Sequence, residues 1–211
     1  MNSSIDSLQW RYAVKKFDTF KLLSEAKISL LKEAFNLTAT SYGLQPIKLI
    51  VVYNKALQQN LVAHSYNQQQ VAQASHLLVL CVETNISEAY IRNYFNLIKE
   101  VRNTSDEILN PFRDSLITTF SKMAPEEVKS WATKQAYLAL GNLLTVCAME
   151  QIDSCPMEGF VPSKYDELLG IKDMDLTSVL VLPVGYRAAD DLFASLEKVR
   201  KPLTDCIIEI N

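Results

Sequence analysis

The amino-acid sequence predicts an α+β layer fold, a small sheet flanked by helices, in one domain over residues 1–211. Short runs rich in Val, Leu and Ile, bounded by turn residues, occur at Lys48–Tyr53, His76–Glu83 and Thr177–Val184. Long helical patterns separate them, which favours mixed layers over a meander of hairpins. The chain has 211 residues of 48% hydrophobic composition, enough to bury one well-packed core.

A short first helix precedes Arg11. Ser24 caps a second helix through about Asn36, with Ile28, Leu31, Ala34 and Phe35 on one face. Lys48–Tyr53 is the first strand. Ala56–Ser75 reads as one or two helices, Gln-rich on the exposed side, before the strand His76–Glu83. A helix starting near Asn85 or Ser87 carries Tyr90, Tyr94, Phe95 and Ile98, and another covers about Ser105–Ser121. Pro125 followed by Glu126 and Glu127 suits a first helical turn, because proline fits N1 and acids suit the positive helix end. That helix runs to about Met149. From Ala136 onward only Asn142 and Thr145 are clearly polar, so it is expected to be buried on nearly every side, by a partner subunit as well as by its own domain. A central helix of a monomer is the plainer alternative. After Thr177–Val184, Cys206–Ile210 alternates weakly and is expected to form an edge strand.

Composition narrows the function classes. The net charge is −3 with no basic tail, which disfavours general nucleic-acid binding. The longest apolar runs, Leu77–Val82 and Val179–Pro183, are far short of a bilayer span, and MNSSIDSLQW lacks a secretory pattern. Cys81, Cys147, Cys155 and Cys206 form no Cys-x-x-Cys pair, and Cys81 and Cys147 read as buried reduced thiols. A cytoplasmic location is expected. His64 and His76 have no partners at metal-ligand spacing, so no metal is expected. No Gly-x-Ser-x-Gly elbow, Walker loop or Gly-x-Gly-x-x-Gly exists among the five glycines. A bound nucleotide or flavin would need side chains for its phosphate grip.

Four clusters carry chemistry. Arg11–Asp18 concentrates cations after the first helix. Ala39–Pro46 gathers hydroxyls, a glycine and an amide at a helix-to-strand junction. Cys155–Phe160 has an irregular backbone fixed by Pro156 and Gly159. Leu182–Tyr186 ends a buried strand, and Lys198, Arg200 and Lys201 follow in a polar stretch. Each alone reads as a solvated patch or an ordinary turn. In order they form a pattern: Arg-Tyr-x-x-Lys-x-Phe-Asp at 11–18, Ser41–Pro46, Asn67, Ala74-Ser75-His76, Lys134-Gln135-x-Tyr137, Pro-x-Glu-Gly-Phe at 156–160, Pro-Val-Gly at 183–185 and Lys-x-Arg-x-Pro at 198–202. From about Ile5 to Ile210 the chain resembles the FMN-dependent nitroreductase family, in the branch of oxygen-insensitive NAD(P)H nitroreductases and dihydropteridine reductases.

The resemblance implies a three-layer fold with a mostly antiparallel sheet, an intertwined homodimer and two FMN clefts at the interface. It assigns the phosphate grip to Arg11, Lys198 and Arg200, which suits a group carrying roughly 1.5 to 2 negative charges. Tyr12 and Ala13 match further cofactor contacts, Ala13 standing where a serine is common. Lys15 matches a lysine near the N1 and O2 edge of the ring, where a cation stabilises the reduced form. Asn67 matches an amide on the same side, and Gln70 replaces a second lysine found in some relatives. Thr40, Ser41 and Gly43 match a loop over the ring supplied by the other subunit. Pro156, Met157, Glu158 and Gly159 match the segment beside the ring, with a main-chain N–H of Glu158 or Gly159 facing N5. Tyr42, Tyr66, Ile117 and Phe120 match substrate-lining positions. The implied activity is ping-pong hydride transfer from NADH or NADPH to nitroaromatics, quinones or related acceptors. A pteridine, enone or flavin reductase of the same fold, or a non-catalytic relative, are the alternatives.

Overall fold

The computed structural model describes residues 4–210. Residues 1–3 and 211, included in the expected domain and in the reading of the N-terminus, lie outside it. Helices α1 (Ser4–Trp10) and α2 (Glu25–Asn36) precede strand β1 (Ile47–Val52). Helices α3 (Lys55–Val62) and α4 (Gln70–Gln73) lead into β2 (His76–Glu83). Then come α5 (Glu88–Arg102), α6 (Asp106–Phe120), α7 (Pro125–Met149), β3 (Asp153–Ser154), α8 (Pro162–Leu168) and β4 (Leu176–Gly185). The sheet order is β1-β2-β4-β3, each pairing antiparallel.

The hydropathy of β2 explains the layering. Leu77 through Val82 are all fully buried. Successive strand residues point to opposite faces, so a continuous apolar run means both faces are covered. Leu77, Val79 and Cys81 join a cluster with Val14, Phe17, Leu61, Val71, Met157, Phe160 and Tyr165. Leu78, Leu80 and Val82 join another with Ile28 and Leu31 of α2 and Ala132, Ala136, Ala139 and Leu143 of α7. The result is three layers. The N-terminal strap, α3, α4 and α8 lie on one face of the sheet, and α2 and α7 on the other. Helices α5 and α6 form a side excursion around Ile91, Phe95, Leu116 and Phe120. Pro183 fits inside β4 because its carbonyl side faces the segment leaving two-residue β3, where it accepts from Cys155 N–H at 3.1 Å.

The helix starts follow local chemistry. Ser24 and Ser87 accept hydrogen bonds from the N–H groups of Lys27 and Tyr90, and Pro125 opens α7. One expectation is corrected. The tail Cys206–Ile210 forms no strand. It follows a 3₁₀ turn at Leu203–Asp205, and residues 201–210 are all exposed, so no layer of their own chain rewards pairing. Helix α7, expected to be buried by a partner subunit as well as by its own domain, is covered by its own chain on one side, and Leu138 and Met149 are 54% and 58% exposed while Tyr137 and Gly141 also face outward. Among the described residues no helix is long and apolar enough to cross a membrane.

Candidate functional site

Beyond α1 the chain becomes a strap over the sheet. Ala13 bridges to Ser154 and Phe17 to Arg187. Asp191, 5% exposed, fastens this strap to the C-terminal segment: its carboxylate accepts from Tyr12 Oη at 2.9 Å and from the N–H groups of Lys15 (2.9 Å), Lys16 (3.3 Å) and Phe193 (3.1 Å). Burial alone would raise the Asp191 pKa, but these donors outweigh it and hold the carboxyl below its usual range. Arg187 pairs with buried Asp153 and lies over the rings of Trp10 and Tyr12, at 4.3 and 4.5 Å.

Residues 192–200 return over the strap and enclose a cavity of about 400 Å³. Arg11, Tyr12, Ala13, Lys15, Lys198 and Arg200 all line it. The Lys198 ammonium donates to the Arg11 carbonyl, and the Lys15 ammonium lies 5.9 Å from the Phe193 ring centre. Burial and then the charge of Arg200 pull the Arg11 pKa down, and burial followed by Arg11 and Arg200 does the same to Lys198. Among the described residues Arg11 Nε is buried without a hydrogen-bond partner, and Arg11, Lys15, Lys198 and Arg200 form no ion pair. Converging cations with an orphaned buried donor are chemically matched to a polyanion such as a phosphate monoester.

On the same face of the sheet, the α3–α4 loop meets the 156–159 segment. Tyr66 and Asn67 both adopt left-handed backbone (φ 51° and 60°), which swings Gln68 toward Gly159, whose carbonyl accepts from Gln68 Nε2 at 2.9 Å. Gln70 opens α4 and is 8% exposed. Met157 is buried and pairs with Val181 through both main-chain groups, at 2.8 and 3.0 Å. The Glu158 carboxylate accepts from Tyr137 Oη of α7, which raises the Tyr137 pKa. Pro156 is half-buried at the start of this segment.

The structure ties most of the remaining predicted residues to α7, the α5–α6 excursion or their own loop rather than to this cavity. Ser41 N–H donates to buried Gln135, and Thr40 Oγ1 accepts from Gln45 N–H. Tyr42 (φ 60°) stacks on Trp131 at 6.2 Å, and Gly43 (φ 71°) lies against the Tyr94 hydroxyl. Phe120 is 5% exposed, edge-on to Trp131 at 4.9 Å, and Ile117 packs against the same cluster, so both are largely occupied with internal packing. Tyr66 is exposed beside Gly159. Sequence reasoning missed Asp191, Arg187 and Gln68, whose positions become meaningful only through contacts with distant segments.

Comparison with known proteins agrees with this architecture. The model of the nitroreductase family matches residues 8–186. A Staphylococcus epidermidis protein that carries a provisional NAD(P)H nitroreductase name is 33% identical over 199 residues, 90% of each chain. A nitroreductase family protein from Streptococcus pneumoniae superposes with a TM-score of 0.81 at 26% identity, covering 99% of this chain and 100% of that one. A provisionally named nitroreductase from Exiguobacterium sibiricum, solved in complex with FMN, gives 0.84 at 18% identity over 100% of this chain and 98% of that one. The chain belongs to the nitroreductase family.

Proposed function

We propose that this chain is a single-domain, FMN-dependent NAD(P)H oxidoreductase that reduces nitroaromatics, quinones or related acceptors as a homodimer. The observation that carries the reading is the cavity in which Arg11, Lys198 and Arg200 converge with Arg11 Nε unpartnered. These three would hold the FMN phosphate, with Tyr12 and Ala13 supplying further contacts. Lys15 would place a positive charge at the pyrimidine edge of the ring, and Asn67 and Gln70 would present side-chain amides there. Among the described residues neither the Glu158 nor the Gly159 main-chain N–H has an acceptor, which leaves donors free for the ring edge. FMN, when bound, supplies the hydride-accepting and electron-donating chemistry, so no side-chain acid or base is needed.

The second subunit is part of the reading. Helix α7 leaves Leu138, Gly141 and Met149 open, and Ile207, Ile208 and Ile210 of the tail stand exposed, which gives a second copy apolar surface to cover. Ser41 is tied to α7, Thr40 to Gln45 of its own loop and Gly43 to Tyr94 of α5, all away from their own cavity, as expected if they complete the partner's cleft. Tyr42 and Tyr66 are exposed enough to line the space that donor and acceptor would occupy in turn.

The test is direct. Purified protein should be yellow or become so with FMN, bleach with NADH or NADPH under anaerobic conditions, and recover colour with a nitroaromatic or quinone. Double-reciprocal plots should be parallel. A colourless preparation that takes up no added FMN refutes the proposal.

A further inference from the structure

Gly159 occupies its position for a reason unrelated to backbone freedom. Its φ is not left-handed, yet a Cβ there would come within 2.9 Å of Gln68 Nε2. That nitrogen is where it is because it donates to the Gly159 carbonyl at 2.9 Å. Gln68 and Gly159 are therefore a matched pair: the missing side chain makes room for the amide that clamps the main chain.

Other contacts immobilise the same few atoms. Met157 is locked to Val181, Val161 N–H donates to the His64 carbonyl at 2.9 Å, and the Glu158 side chain is held by Tyr137. The Glu158 carbonyl accepts from Phe160 N–H at 2.9 Å. In a trans peptide the N–H points opposite to the carbonyl, so Gly159 N–H is turned away from that tight turn. It has no acceptor among the described residues.

We propose that Gln68 is a positioning residue for the reaction, one that clamps the Gly159 carbonyl and, by fixing that residue, makes the Gly159 N–H a fixed donor to the ring nitrogen that receives hydride. This rests on the FMN reading above. An oxidised ring nitrogen accepts a hydrogen bond, whereas reduction places a hydrogen on it. A rigid donor therefore favours the oxidised form, and a loosened one gives up that preference.

The experiment measures the midpoint potential of bound FMN and the dissociation constants of oxidised and reduced FMN for wild type, Gln68→Ala, Gln68→Met, Gly159→Ala and Gln68→Ala/Gly159→Ala. Gln68→Met removes the donor while keeping length and adding no charge. Gly159→Ala should still fold, because the atom its methyl meets is the end of a flexible side chain. Losing one hydrogen bond should weaken oxidised FMN binding about fivefold, leave reduced binding unchanged and raise the midpoint by about 20 mV. Gly159→Ala should match Gln68→Ala, since its methyl displaces the same amide, and the double variant should add nothing further. Gln68 variants with wild-type potential and affinity, or a double variant that sums the two shifts, overturn the inference while the FMN reading stands. A wild-type chain that binds no FMN overturns both.

Discussion

Replacing Arg11 by Met separates an anion site from a surface patch, because the two accounts predict opposite signs in one protein. Methionine keeps a long apolar stem, so packing beneath the strap is largely retained. Without ligand, wild type holds a half-buried guanidinium whose Nε has no partner among the described residues, with Lys198 and Arg200 lining the same cavity. An unsatisfied buried donor costs about 1 to 3 kcal/mol, and the solvent-exposed parts of this cluster discount that to about 1 kcal/mol. Arg11→Met should therefore raise the melting temperature of the apo protein by about 2 to 4 °C for a chain of this size. With FMN the sign reverses. A hydrogen-bonded ion pair to phosphate is worth about 1.5 to 3 kcal/mol, so the affinity measured by flavin fluorescence quenching should fall roughly 10- to 150-fold. A variant that melts lower without ligand and binds FMN as wild type does would refute the assignment of Arg11 to an anion site.

The other expectations follow from the same contacts. The folded-state pKa of Lys198 lies below its ordinary value of 10.5, so the unfolded chain binds more protons between the two; apo stability should rise with pH through that window, and the rise should be smaller in Lys198→Gln in pH-dependent chemical denaturation. Asp191→Asn removes the charge that gathers the donors of Tyr12, Lys15, Lys16 and Phe193, and should cost about 2 to 3 kcal/mol by urea denaturation. Because the Asp191 pKa is depressed, the wild-type advantage should persist above pH 3.8 and fade as pH falls through the lower folded value. Gln70→Lys should raise the flavin midpoint in potentiometric titration, with about 30 mV corresponding to 1.4 kcal/mol of preference for the reduced ring; no rise would exclude Gln70 from the ring's surroundings. Leu138→Arg on the open face of α7 should weaken the dimer by at least about 2 kcal/mol, seen by light scattering as a monomer that also binds FMN poorly.

Features governed by neighbours in sequence were legible. Ser24, Ser87 and Pro125 start helices through donors and backbone angles within one turn, and the run from His76 to Glu83 shows a strand covered on both faces. The segments 11–18 and 156–160 announced themselves through residue types with evident chemistry. Gln68 is one amide in a Gln-rich stretch, and nothing local separates it from Gln69, whose side chain caps only the Asn67 carbonyl. Asp191 acquires its role from partners 175 to 179 residues away in Lys16, Lys15 and Tyr12. The tail misled for a related reason. Its alternation encodes a willingness to pair, but not an edge to pair with, and within one chain no edge is taken.

The distribution of acids around the cavity is the most telling feature that sequence could not supply. Asp153 is committed to Arg187, and Asp191 to the main-chain donors and Tyr12 that hold the strap and tail together. Both carboxylates lie at the junction, yet among the described residues neither forms an ion pair with the side chain of Arg11, Lys15, Lys198 or Arg200. Had the convergence of the termini served only to seal the fold, matching either carboxylate to Arg11 would have removed a buried unpaired donor at little structural expense. Instead these two acids assemble the frame, and Glu197, which itself lines the cavity, forms no ion pair with the cations among the described residues. An apo state strained in that way is stabilised by any phosphate that enters, through the difference in affinity between folded and unfolded chain. The gap between apo and FMN-saturated melting temperatures should therefore narrow in Arg11→Met, Lys198→Gln and Arg200→Met, and remain unchanged in Lys201→Gln, whose lysine does not line the cavity.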